Sequence, residues 1–91
     1  MNNTRRNQIR ELISKLETIN FELDVLRGEI ESTKEEEQEY YDNIPENLQN
    51  SERAENSEYA IDDLDSAISN IENALEYTND ALNNLESSIE N

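Results

Sequence analysis

The sequence predicts an all-α fold: an antiparallel helical hairpin in which two long helices form a two-helix coiled coil. Three observations predict it. The chain has one glycine and one proline in 91 residues. Each half carries Ile and Leu at heptad spacing. The two apolar rows also agree in register. So few chain breakers, with a third of the residues charged, suit long helices and argue against a turn-rich β fold.

Helix one is expected over about 4–41. Taking the third and then the fourth residue from Ile9 gives Ile9, Leu12, Leu16, Ile19, Leu23, Leu26 and Ile30, then Thr33, Glu37 and Tyr40. This 3-4 spacing is the seam of a supercoiled helix, and it turns polar before the chain bends. Thr4 is the expected N-cap, because its hydroxyl can accept a free backbone N–H of the first turn.

The bend is expected over 42–50. Pro45 cannot sit inside a helix and pushes Ile44 out of helical geometry. Asp42 and Asn43 favour turns. Pro45 suits the first position of a short helical turn, PENLQ. Tyr40, Tyr41, Ile44, Leu48 and Tyr59 are the apolar residues of this hairpin tip. They are expected to plug its open end; the alternative is a binding tip.

Helix two is expected over about 51–90. Ser51 is a good N-cap, with Glu52 and Glu55 favourable in the first turns. The seam reads Ile61, Leu64, Ile68, Ile71, Leu75, Thr78, Leu82, Leu85 and Ile89. An alanine column runs beside it: Ala60, Ala67, Ala74 and Ala81, then Ser88. The segment is a repeat of period seven, AIDDLDS AISNIEN ALEYTND ALNNLES, which specifies a supercoiled helix rather than a solenoid.

Facing residues of an antiparallel hairpin share one index sum. Ile9 with Ile89, Leu16 with Leu82, Leu23 with Leu75 and Ile30 with Ile68 share one value; Leu12 with Leu85, Ile19 with Thr78 and Leu26 with Ile71 fall one lower. One register therefore pairs nearly every apolar layer. Arg5, Arg6 and Arg10 then fall beside Glu86, Glu90 and the carbonyl end of helix two. The methyl side chains of the alanine column let another helix approach closely.

Composition bounds the function. The net charge is −16, with 7 basic and 23 acidic residues. Such a chain repels nucleic acid phosphate and anionic lipid surfaces, so neither direct nucleic-acid binding nor membrane binding is expected. A basic protein surface attracts it. With no Cys and no His, thiolate nucleophiles, disulfides, ordinary zinc sites and the usual general base are excluded. The lack of Cys and of any long apolar run points to a cytoplasmic protein.

The stretch QEYYDNIPENLQNSER, with RRNQIRELISKLE before it and the alanine-bearing repeat after it, resembles a family of small acidic helical proteins of bacteriophages and prophages, mostly annotated only as hypothetical. The resemblance implies an accessory protein in the cytoplasm of an infected or lysogenic bacterium, with a host protein as its partner. In similar motifs a Gly often stands where this chain has Asn50, and Asn tolerates the left-handed backbone next best. No activity or cofactor comes with the resemblance.

Several residues are candidates for binding. From Ala54 to Asn91 there is no Lys or Arg. Asp62, Asp63, Asp65, Glu72, Glu76 and Asp80 form a candidate acidic face. It is either a solvated surface or one that imitates duplex phosphate and occupies a basic groove of a nucleic-acid enzyme. Asp62, Asp63 and Asp65 point in different directions on a helix, and no D-x-D-x-D-G loop exists, so no calcium site is expected. Two bare helices offer no concave pocket that would tune a carboxyl, so an enzyme is not expected. Phe21 and Val25, neighbours on the back of helix one, and Tyr77 at the same level on helix two form a candidate apolar patch. A lone hairpin buries one seam only, and so small a chain ordinarily needs more core. Two states therefore stay open: a monomer, and a homodimer forming a four-helix bundle through the alanine column, Ile13 and the apolar patch. Two functions stay open as well. One is a binding inhibitor or modulator of a host protein. The other is a structural assembly or dimerisation module.

Overall fold

The computed structural model describes residues Met1–Asn91. Helix α1 spans Asn3–Asp42, a short 3-10 turn spans Glu46–Leu48, and helix α2 spans Glu52–Glu90. The two long helices pack antiparallel as a hairpin, a rod with extents of 70 × 14 × 14 Å.

Local chemistry sets the ends of the helices. Asn2, rather than Thr4, caps α1: its side chain accepts the Arg5 backbone N–H at 2.8 Å. Asn outranks Thr as a cap, and Thr4 lies inside the first turn. Ser51 caps α2 by accepting the Ala54 N–H at 3.2 Å. At the bend, the Asn43 N–H reaches the Glu39 carbonyl and the Ile44 N–H that of Tyr41, both at 3.1 Å. Pro45 is extended (φ −55°, ψ 144°) and precedes the 3-10 turn. Gln49 Nε2 donates to the Ile44 carbonyl at 2.8 Å. No residue has positive φ, so Asn50 is not in the left-handed backbone that a glycine at this place suggests.

The core is a thin line. Ile13, Ile61 and Ile68 are buried along the rod, and Ile44, Ala54 and Ser57 are buried toward the tip. On α2 the expected seam holds, since Ile61 through Ile89 at 3-4 spacing are all buried or half-buried. On α1 it does not. Leu12, Ile19 and Leu26 are 50, 49 and 43% exposed. Their places are taken by Ile13, Asn20, Arg27, Lys34 and Tyr41, all buried or half-buried beside Ile9, Leu16, Leu23 and Ile30. Moving one of the two seam rows on by one residue, with the other kept, turns the packed face of α1 about its axis by roughly 50°.

The reason lies along one edge of the ribbon. Tyr41 donates to Glu58, Lys34 Nζ lies 2.5 Å from Asp65 Oδ1, Arg27 sits in the field of Glu72, and Asn20 Nδ2 donates to Asn79 Oδ1 at 3.2 Å. These pairs recur every seven residues and form a polar ladder. A helix α2 without cations beyond Arg53 draws the cations of α1 to this edge. One exposed rung contributes only about 0–1 kcal/mol. Three cross-helix contacts, the longer-range attraction of Glu72 for Arg27 and a buried Ile13 together offset the partial exposure of three aliphatic side chains.

Of the expected contacts at the open end, Arg6 Nε donates to the Ile89 carbonyl at 3.2 Å. Arg10 turns to Asn7 instead, at 2.8 Å, and no ion pair joins Arg5, Arg6 or Arg10 to Glu86 or Glu90. Free carbonyls at a helix C-terminus accept a guanidinium as readily as a solvated carboxylate does.

Gly28 lies in mid-helix, and a Cβ added there meets nothing within 4 Å. Glycine in a helix interior costs about 0.5–1 kcal/mol relative to alanine. Gly28→Ala is expected to raise unfolding free energy by that amount in a urea titration; no change or a loss would show that the position is crowded.

Candidate protein-docking surface

The hairpin has two unlike edges. The first is the polar ladder. The second is marked by Tyr40, whose ring carries the Arg53 guanidinium 4.9 Å from its centroid. Tyr40 continues the Leu12, Ile19, Leu26, Thr33 row at heptad spacing, and Arg53 lies seven residues before Ala60. Seven-residue steps along each helix from the Tyr40–Arg53 contact carry the Thr33, Leu26, Ile19, Leu12 row along the Ala60, Ala67, Ala74, Ala81 column. The half-exposed aliphatic row and the half-buried alanine column therefore share one face of the rod. The sequence singles out the alanine column of this surface but places Leu12, Ile19 and Leu26 inside the seam. The signal was in the sequence: Tyr41, Lys34, Arg27 and Asn20 face Glu58, Asp65, Glu72 and Asn79 at one constant index sum.

The acidic candidates occupy other surfaces. Asp62, Asp63, Asp65, Glu72, Glu76 and Asp80 are all exposed. They spread over four adjacent heptad rows, which together make the outward side of α2. Asp62 and Glu76 share a heptad row, Asp65 and Glu72 lie on the ladder, and Asp63 and Asp80 stand on rows of their own. Asp65 is tied to Lys34, which raises the lysine's pKa through that hydrogen bond. Glu72 acts on Arg27, already bridged to Asp24 and Glu31 at 3.0 Å each. No three carboxylates converge where a metal ion could be held.

At the tip, Ile44 alone of the five candidates is buried, at 4% exposure. Tyr41 is half-buried on the ladder, while Tyr40, Leu48 and Tyr59 are exposed. The plug is therefore one isoleucine, reinforced by polar contacts. Ser57 Oγ donates to Glu37 Oε1 at 3.0 Å, which accounts for a polar Glu37 in the seam. Two open hollows flank the tip. One is lined by Glu37, Tyr40, Glu52, Arg53, Asn56 and Ser57, the other by Gln38, Tyr41, Glu58, Ile61 and Asp62.

Phe21, Val25 and Tyr77 are exposed on the backs of the two helices, Phe21 at 68% and Tyr77 at 73%. Ile13, expected at a second interface, is buried within the hairpin at 8%. It packs inside because α1 turns its edge toward α2. Tyr77 stands on the row next to the alanine column, three residues beyond Ala74 and four before Ala81.

The Tyr41 phenol titrates above its ordinary value, first because it donates to Glu58 and then because burial disfavours the phenolate. A raised folded pKa means stability present below the unfolded value, about 10, and lost as pH rises through the folded one. Lys34 acts in the same sense. In absorbance titrations, Glu58→Ala is expected to bring one tyrosine back to the ordinary range; an unchanged curve would show that the contact does not persist in solution.

No helix is long and apolar enough to cross a membrane. No protein-family model, no curated protein and no solved structure matches the chain.

Proposed function

We infer that the chain is a non-enzymatic protein-docking module, a coiled-coil hairpin that takes a further helix along the Leu12, Ile19, Leu26 row and the alanine column. One observation carries this reading: three large aliphatic side chains stand 43 to 50% exposed at strict heptad spacing on one face. Scattered exposed leucines need no explanation, but a straight row of period seven fits the knobs of a helical partner. A rod 14 Å across with open hollows only at its tip offers no water-excluding cleft for catalysis, which supports a binding role.

A second reading, docking on a basic protein of a bacterial host, is favoured by the run without Lys or Arg beyond Arg53 and by the resemblance of the bend to phage and prophage proteins. Imitation of a DNA duplex is the weaker form of it. Sixteen net charges over 70 Å give one per about 4.4 Å (70/16), against one per about 1.7 Å of duplex.

Photo-crosslinking separates the two readings. A benzoylphenylalanine in place of Ile19 is expected to trap a helical partner, itself or another chain, with a yield indifferent to salt. The same probe in place of Glu76 reports the acidic surface, and adducts there that vanish at high salt would favour the basic partner. Adducts at neither position would overturn both.

A further inference from the structure

Resting on that docking reading, we propose that the partner is a second copy of this chain, joined face to face by a two-fold axis parallel to the rod. The tips of both hairpins then lie at the same end of a four-helix bundle. In this arrangement α1 of one copy lies antiparallel on α2 of the other, and the Leu12, Ile19, Leu26 row of each packs over the alanine column of its twin. Large side chains meet small ones, which is how facing layers interdigitate.

Charge permits the arrangement. A chain of net charge −16 repels its copy wherever carboxylates face one another. A two-fold axis parallel to the rod keeps residues of both copies at the heights they hold in the hairpin. The row outside the leucines on α1, Lys15, Glu22, Glu29 and Glu36, therefore faces the row outside the alanines on α2, Asn84, Tyr77, Asn70 and Asp63, in that order. One carboxylate pair results, Glu36 with Asp63. A head-to-tail dimer instead lays α1 on α1 and α2 on α2, leucine row on leucine row and alanine column on alanine column, and loses the fit of large side chains to small ones. The polar ladder faces away from the dimer, so most cross-helix carboxylates stay in solvent.

Size agrees. A face 70 Å by 14 Å projects roughly 1,000 Å², above the roughly 800 Å² per partner of a standard stable interface. The hairpin alone buries only 6 of its 91 residues, and the dimer converts its half-exposed row into a second core.

Sedimentation equilibrium and spin-label distances test the proposal. The chain has no cysteine, so Asn50→Cys places one unique label at the tip. The native chain is expected to reach dimer mass within the micromolar to millimolar range. The two labels should be separated by a few helix spacings, about 20–30 Å. A separation approaching the 70 Å rod length would overturn the parallel axis. A strict monomer throughout that range would overturn the second copy as partner; a crosslink from position 19 to a different protein would then leave the docking reading intact. The triple variant Leu12→Glu, Ile19→Glu, Leu26→Glu should stay helical, since these side chains are already half in solvent, and sediment as a monomer. Asn70→Glu with Tyr77→Glu, which set carboxylates against Glu29 and Glu22, should raise the dissociation constant at least tenfold without changing helicity. A dimer unmoved by either set would also refute the interface.

Discussion

Ile68→Ala will cost about 2–4 kcal/mol of hairpin stability, whereas Leu26→Ala will cost less than about 1 kcal/mol, when both are measured by urea unfolding at concentrations where the chain is monomeric. Ile68 is 6% exposed and Leu26 43%. Truncating the first leaves a void along the only line of core; truncating the second removes atoms already half in water. A domain of this length holds roughly 5 kcal/mol in total, so Ile68→Ala leaves about 1–3 kcal/mol and unfolds up to roughly 15% of the molecules. If α1 instead presented Leu12, Ile19 and Leu26 to α2, the two variants would lose stability equally, and the turn of α1 toward the polar ladder would be refuted. At high concentration the Leu26 variant should acquire a second penalty, because a partner then covers the row.

Ile44→Ala should be comparably damaging, although residue 44 belongs to neither helix. At 4% exposure Ile44 is the most completely buried large apolar side chain, and it closes the end of the rod. A loss of about 2–4 kcal/mol lowers the melting temperature by at least about 10 °C in a domain of this size. Leu48→Ala and Tyr59→Ala, at 45 and 66% exposure, should each shift it by no more than about 2–3 °C. Thermal scans followed by circular dichroism decide the matter. A tip that tolerates Ile44→Ala but not Tyr59→Ala would restore the broad aromatic plug.

The hairpin itself was legible in the sequence because three signals agreed: the heptad spacing, the single proline and the shared register of the two apolar rows. The α2 seam was legible because only one choice of rows is apolar there. On α1 the Ile9, Leu16, Leu23, Ile30 row packs as expected, but the rows on both sides of it carry aliphatic residues, and the richer of those two, Leu12, Ile19 and Leu26, is not the one that packs. Hydrophobic counting ranks Leu12, Ile19 and Leu26 above Ile13, Asn20 and Arg27. The fold weighs complementarity with α2, where Lys34 finds Asp65 and Asn20 finds Asn79. The alanine half of the candidate surface is legible as a row of small side chains, whereas its leucine half is hidden for the same reason, since rows assigned to the seam are not sought outside it. The caps show a smaller version of the effect. Asn2 and Thr4 are both competent, and backbone geometry at the first turn selects Asn2.

The antiparallel pairing around one bend also grades the rod in time. Partners at the tip are close in sequence: Tyr41 and Glu58 are 17 residues apart. At the open end Arg6 and Ile89 are 83 apart. Loop closure grows costlier with separation, so the chain zips from the bend outward and unzips from its termini. Amide exchange should therefore quicken steadily from Ile44 toward both ends, and a protease would trim the rod back from its termini before it ever cut near the turn.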